Sequence, residues 1–265
     1  LGLFSEEYMR KSALLGYGLI RVAMNIFIGA VWFLSKVHFP CLEFFATYSL
    51  DNNVGIVLRA AYWKARFGTM GKDVRIDVGA RFSGSRHIHI GDGGWIDKYV
   101  IVLAGGREQA QKVRHVKIKE NAQFIFERGQ LVIGRGCHIA PHTIIQALGG
   151  CHIGDFTGIA SGCRIYSQSH HYRGPEDGVL YKFSVYAPDE EQSVIEGPVV
   201  FEGNNALGIN SVVLPGVTIG RNSWVGVCSY VIDNVPPNVI ACGTPAKVLK
   251  NRFENSQLIT SDRPA

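Results

Sequence analysis

Large apolar residues recur along this chain every six positions, not every two or every three to four. From Ile133 the starts are Ile133, Ile139 and Ile145, then Ile153, Ile159 and Ile165. After an interruption come Phe201, Leu207, Val213, Ile219, Val225 and Val231. The position after a start is often Gly or Ala, as at Gly134, Ala140, Gly154, Ala160, Gly208, Gly220 and Gly226. The fifth position of each hexad is small: nine of twelve are Ser, Thr, Cys or Gly, including Cys137, Thr143, Thr157, Cys163, Ser211, Ser223 and Ser229. A period of six is neither helical nor the alternation of a half-buried strand. It predicts a chain wound as a triangular prism with three short strands and roughly 18 residues per coil, each coil burying its apolar side against its neighbours. The small fifth residue then sits inside a tight corner.

The same sense is visible, more raggedly, at Met70, Ile76, Phe82, Ile90, Ile96 and Val102. Two segments break the winding, near Gly105–His115 and near Tyr172–Pro198. Long excursions from a regular solenoid are usually functional or interface-forming. The predicted fold is therefore all-β, a parallel β-helix over residues 68–252 with a tail at 253–265.

Residues 1–67 follow another rule. Ala13–Leu34 is apolar apart from Arg21 and Asn25, but its uncharged run, Val22–Ser35, is only 14 residues. That is short of the roughly 20 that cross a bilayer. A second apolar patch, Leu42–Tyr48, follows Pro40, and Val54–Phe67 reads as a helix carrying Arg59, Lys64 and Arg66 among Tyr62, Trp63 and Phe67. Two readings stay open for this helical segment. Trp32, Tyr62 and Trp63 beside basic residues suit a membrane interface; the alternative is packing on the coils or at a subunit contact.

Composition narrows the partners. The net charge of +5 is mild and Lys and Arg are scattered, whereas a nucleic-acid surface shows a clustered basic stripe. The six cysteines form no CxxC pair and read as free thiols in a reducing cytoplasm, several of them filling corners.

The hexads, "VLPGVTIG" at Val213–Gly220 and "NVPPNVIACGTPAKVL" at Asn234–Leu249 resemble the hexapeptide-repeat acyltransferases, especially the galactoside, maltose and serine O-acetyltransferases and polysaccharide-modifying relatives. The resemblance spans Met70 to Arg252. It implies a left-handed β-helix, an exception to right-handed crossovers. It also implies a homotrimer with active sites between subunits and acetyl-coenzyme A as acyl donor, with no metal. The family lays the pantetheine arm along the last coils, matching Leu207–Asn210 and Gly226–Ser229 here, so that Gly208, Gly226 and Ser229 become candidate cofactor contacts. Lys247, supported by Lys250 and Arg252, matches the family's basic residue near the nucleotide phosphates.

Acetyl transfer to a hydroxyl needs a base as the oxygen attacks the thioester, and histidine titrates near neutrality. His170 closes the hexad begun at Ile165, where winding stops and the second excursion begins. Related enzymes carry their catalytic histidine at this point, and "SQSHHYRG" resembles that motif. His171 is the alternative; Glu176 or Asp177 could orient the imidazole, and Tyr172 and Arg173 are candidate acceptor contacts. Departures from the galactoside type are Ala206 for its Trp, Ile232-Asp233 for its Thr-Lys, and Gly162 for its acceptor-binding Asn. They argue against a galactoside acceptor. A catalytic domain joined to an apolar N-terminus points instead to a sugar or lipid-linked glycan in surface-polysaccharide synthesis, on the cytoplasmic face of the inner membrane. N-acetylation of a nucleotide-linked amino sugar is the rival reaction. Two readings come from other classes: a noncatalytic scaffold, and a γ-type carbonic anhydrase using His138, His142 and His152, whose spacing does not match that family's ligands.

Overall fold

The computed structural model describes residues 26, 29–30, 40–105, 115–118, 128–171, 180–184 and 186–253. Helices α1 (Pro40–Tyr48) and α2 (Asn53–Lys64) precede the coils. The first coil follows as β1 (Thr69–Met70), β2 (Arg75–Ile76) and β3 (Arg81–Ser83), the second as β4 (Ile88–Ile90), β5 (Trp95–Ile96) and β6 (Ile101–Leu103). Strand β7 (His115–Ile118) lies outside the winding. The third coil holds β8 (Leu131–Ile133), β9 (His138–Ile139) and β10 (Ile144–Gln146), the fourth β11 (Cys151–Ile153), β12 (Gly158–Ile159) and β13 (Arg164–Tyr166). A second excursion carries β14 (Gln168–His170) and β15 (Ser193–Glu196). The fifth coil is β16 (Val199–Phe201), β17 (Ala206–Leu207) and β18 (Val212–Val213), the sixth β19 (Thr218–Ile219), β20 (Trp224–Val225) and β21 (Tyr230–Val231). A hairpin of β22 (Val239–Gly243) and β23 (Ala246–Asn251) ends the described chain.

The hexads become three parallel sheets, and the inward residues stack coil on coil. On the first face the register runs Met70, Ile90, Ile133, Ile153, Phe201, Ile219. On the second it runs Ile76, Ile96, Ile139, Ile159, Leu207, Val225. On the third it runs Phe82, Val102, Ile145, Ile165, Val213, Val231. All but Met70 are buried. Fully burying a side chain of this size is worth about 1.5–3 kcal/mol, and no coil can do so alone.

The corners explain the two small positions. Fifth-position groups donate to the backbone carbonyl of a second-position residue: Cys137 Sγ to Gly154 O at 3.2 Å, Thr143 Oγ1 to Ala160 O at 3.1 Å, Ser211 Oγ to Gly226 O at 2.9 Å. Where the second position is Gly, the next coil runs against it. A Cβ at Gly208 would lie 2.5 Å from the backbone nitrogen of Val227.

One corner differs from the other two. From Val213 to Ile219 the step between the third face and the first is six residues (219 − 213), but from Phe82 to Ile90 and from Ile145 to Ile153 it is eight. Most coils therefore exceed the expected eighteen. Both excursions leave from this same corner, after Val102 and after Ile165, and the register resumes beyond each without a slip.

Helix α2 closes the N-terminal end of the prism. Asn52 caps it, its side chain accepting from Gly55 N at 3.1 Å. Trp63 packs against Phe67 and Phe82 with ring centroids 5.4 and 4.7 Å away. Arg59 is fully buried; it donates from Nε to Ile76 O at 2.9 Å and from a guanidinium nitrogen to Ser49 O at 2.7 Å. This corrects the expectation for Tyr62 and Trp63. They face protein, not a membrane surface, and join the same apolar cluster as the coils together with Ala46, Ala61 and Phe67. The aromatic side chains left exposed here are Phe44, Phe45 and Tyr48 of α1. Among the described residues no helix is long and apolar enough to cross a membrane.

If α2 is the end cap, Trp63→Ala should cost about 3–5 kcal/mol, whereas Phe45→Ser on the outer face of α1 should stay within about 0.5 kcal/mol. Denaturant midpoints measure both; equal small effects would remove the cap from the fold's stability.

Candidate active site

Both excursions are tied down where they join the coil. At the first, Gly105 N donates to Gly129 O at 3.0 Å; at the second, Gly197 N donates to Ser167 O at 3.0 Å. They then meet outside the prism. Strand β14 pairs antiparallel with β15, placing Gln168 opposite Glu196 and His170 opposite Val194. Strand β15 pairs in parallel with β7 of the first excursion, from Ser193 opposite His115 to Glu196 opposite Ile118. The interrupting segments thus build one three-stranded sheet beside the coil.

His170 ends β14 on this small sheet and is half-buried. Its Nε2 atom is buried and has no hydrogen-bond partner among the described residues. A buried polar atom left unpaired costs on the order of 1–3 kcal/mol, and such exceptions call for a reason. An acceptor hydroxyl entering here would supply the missing partner. His171 is also half-buried, and its backbone nitrogen donates to Ser193 O at 2.9 Å. Tyr172, Arg173, Glu176 and Asp177 lie outside the described residues.

The polar groups around His170 include three that the sequence reading missed. Glu196 is buried beneath the sheet, and Arg128 grips it with both arms, Nε to Oε1 and a terminal nitrogen to Oε2, each at 2.6 Å. Gln168 adds a third donor, Nε2 to Oε2 at 3.0 Å. Gln168 is itself held at its backbone nitrogen by Gln146 Oε1 at 3.0 Å. A signal was present: Arg128 and Glu196 each stand five residues before a hexad start, Ile133 and Phe201. Opposite charges at the same phase of two re-entries are what a clamp between excursions requires.

The expected cofactor contacts fall on the fifth and sixth coils and the terminal hairpin. Gly208 and Gly226 are coil-packing positions, and Gly208 O accepts from Cys163 Sγ at 3.1 Å. The hydroxyl of Ser229 is turned into a buried corner, donating to Gly226 O at 2.8 Å and accepting from Gly243 N at 3.2 Å, so the contact expected of it is one through its backbone. It offers a ligand no side-chain group. Lys247 and Lys250 are exposed on β23, and Lys247 Nζ lies 3.8 Å from Asp233, the residue that departs from the family pattern. Arg252 lines a shallow depression of about 230 Å³ with Asn204, Asn205, Ala206 and Trp224. Trp224 is the register neighbour of Ala206, so an aromatic group stands one coil beyond the expected Trp position.

The remaining nucleophiles and ligands can be sorted by geometry. Burial pushes the thiols up, Cys137 to about 11 and Cys151 to about 12, and also raises Cys163. Thiols held protonated are poor nucleophiles at neutral pH. His138 stacks on Trp95 and bonds Asp97 Oδ2 at 3.3 Å on the second face, whereas His142 sits at a corner and His152 on the first face. The three do not converge, and no group of three metal-ligating side chains occurs among the described residues.

A parallel β-coil of hexads with two excursions meeting over a histidine defines a transferase scaffold of the hexapeptide type. No family model matches the sequence. The chain is 32% identical over 140 residues to the galactoside O-acetyltransferase of Lactococcus lactis, covering 49% of this chain and 67% of that one. It is 26% identical over 186 residues to the dTDP-4-amino-4,6-dideoxy-D-glucose acyltransferase of Escherichia coli, covering 70% and 83%. The crystal structure of AntD, an N-acyltransferase from Bacillus cereus in complex with dTDP and 3-hydroxybutyryl-CoA, matches with a TM-score of 0.56 and 23% identity, covering 71% of this chain and 85% of that one. This chain belongs to the hexapeptide-repeat acetyltransferases.

Proposed function

We propose that this coil, left-handed as in the family it belongs to, moves an acetyl group from acetyl-CoA to a hydroxyl of a sugar or lipid-linked glycan, with His170 as the general base. The observation that carries the reading is the buried Nε2 of His170, without a partner among the described residues and set on a strand rooted in the coil. In the step, Nε2 takes the hydroxyl proton as the oxygen attacks the thioester carbonyl. The new C–O bond forms, the C–S bond breaks, and the proton passes to the departing thiolate. His171 is the alternative base, Glu176 the orienting carboxylate, and Tyr172 and Arg173 the acceptor contacts. Bound CoA species in the AntD structures support coenzyme A as donor. Backbone groups at Gly208 and Gly226 would line the pantetheine arm, with Lys247, Lys250 and Arg252 near the phosphates.

A second reading is favoured by the Escherichia coli relative, which this chain covers over more of its length than the galactoside enzyme. There the acceptor would be the amine of a nucleotide-linked amino sugar. The same base serves, because an ammonium must lose a proton before it attacks.

His170→Ala should lower turnover about 10²- to 10⁴-fold while leaving coenzyme A binding intact, and His171→Ala should change it far less. Lys247→Ala should weaken donor binding without lowering turnover at saturation, since a remote phosphate contact acts alike on ground and transition states. Steady-state kinetics and calorimetry read these effects. Wild-type turnover in His170→Ala would end the base assignment, and an unchanged dissociation constant would remove Lys247 from the donor site.

Assembly and location follow from exposed apolar groups. Leu180, Phe183 and Tyr186 of the second excursion are 90%, 61% and 94% exposed. Their exposure supports the homotrimer, in which a neighbouring copy would cover them. Phe44, Phe45 and Tyr48 on the end cap, following an apolar stretch of sequence, support a membrane surface on the cytoplasmic side. The cap begins at Pro40, so removing residues 1–39 should leave a trimer by light scattering that no longer floats with liposomes. Equal flotation of the two forms would contradict membrane attachment through that segment.

A further inference from the structure

We propose that Glu196 and Arg128 are positioning residues that act through His170, an inference that rests on the reading of His170 as the base. Four observations carry it. First, Gln168 and His170 stand two residues apart on β14 and so project to the same side of the small sheet, roughly 6–7 Å apart along the strand. Their partners across the ladder, Glu196 and Val194, project to that side as well.

Second, the carboxylate of Glu196 is buried and held by three donors of this chain. Arg128 occupies both oxygens and Gln168 shares one of them. A bidentate fork onto a carboxylate fixes direction as well as position. With all three donors supplied by this chain, Glu196 is not available to contact substrate, and its role is to hold the elements that carry it.

Third, those elements are the two excursions themselves. Arg128 stands at the return of the first and Glu196 at the return of the second, and β7 and β15 are paired through Glu196 and Ile118. The ion pair therefore joins two long loops at the point where His170 leaves the coil.

Fourth, the floor beneath the pair is shaped for it. A Cβ at Gly149 would lie 2.7 Å from Glu196 Cγ and 2.3 Å from Ser167 O. The hydroxyl of Ser167 accepts from Gly149 N and donates to Gln146 O, each at 2.8 Å. The start of β14 is thus fixed from the coil below and from Glu196 above. Replacing Glu196 releases the upper restraint only.

The consequence is a loss of rate without a loss of donor affinity, since an imbalance of about 1 Å at the reacting groups can cost on the order of a hundredfold. Glu196→Gln keeps the shape of the side chain and removes its charge. Its turnover should fall roughly tenfold to a hundredfold, with the donor's KM unchanged and the fold intact by circular dichroism. Because Glu196 acts through His170, the double variant Glu196→Gln/His170→Ala should be no slower than His170→Ala alone. The imidazole resonances of His170, followed by NMR, should move in Glu196→Gln. That reading holds whether or not His170 proves to be the base, so a failure of the base assignment and a failure of this inference are separable. Arg128→Lys keeps the charge and loses the fork, and carries the same readings if Glu196→Gln does not fold. Rate losses that add in full, or His170 resonances that stay in place, would overturn the proposal.

Discussion

Everything in this molecule depends on one large apolar side chain per face stacking on its equivalent one coil away. A single coil has no interior; Ile133 is buried only because Ile90 and Ile153 lie on either side of it in register. The constraint reaches outward from the stack. Inward stacking at a period of six forces a corner after every strand, and most corners hold a small side chain that returns a hydrogen bond to the neighbouring coil, as Thr143 and Ser211 do. It also explains the end cap. The first coil has no predecessor, so Trp63 and Phe67 cover Phe82 as another coil would have done.

A scaffold so uniform leaves little room for chemistry on its faces, and the site sits where uniformity is relaxed. The corner between the third face and the first tolerates six, eight or many more residues, because what matters to the stack is the register on either side. Two long excursions use this freedom, and the strands in which they meet form a small sheet beside the coil. His170 is rigid on one side because β13 is part of the coil, and adjustable on the other because the excursions are held by one small sheet and one ion pair. That division would suit the base proposed for His170.

The legible parts of the sequence were those with a local period. Each start from Ile133 to Val231 falls at an inward strand position, and the corner cysteines Cys137 and Cys163 are buried where the fifth position places them. Long-range pairings left no such trace. Nothing local says that Arg128 meets Glu196 across 68 residues. For Tyr62 and Trp63 the sequence left two readings open for a related reason, and packing on the coils is the one the structure shows. An aromatic pair beside Arg59, Lys64 and Arg66 has the composition of a membrane surface, and only the open end of the prism shows that it is a lid for protein. Arg59 itself lies fully buried on backbone carbonyls, which no charge pattern foretells.

Acyl transfer to a sugar is the claim that the stack, the corner and the small sheet together support. The most direct measurement incubates the whole protein with acetyl-CoA and a panel of sugars, lipid-linked glycans and nucleotide-linked amino sugars, following free coenzyme A and product masses. The account predicts coenzyme A release that depends on an acceptor and a product heavier by one acetyl group. Release without an acetylated product, or no release with any acceptor from a folded protein, would contradict it.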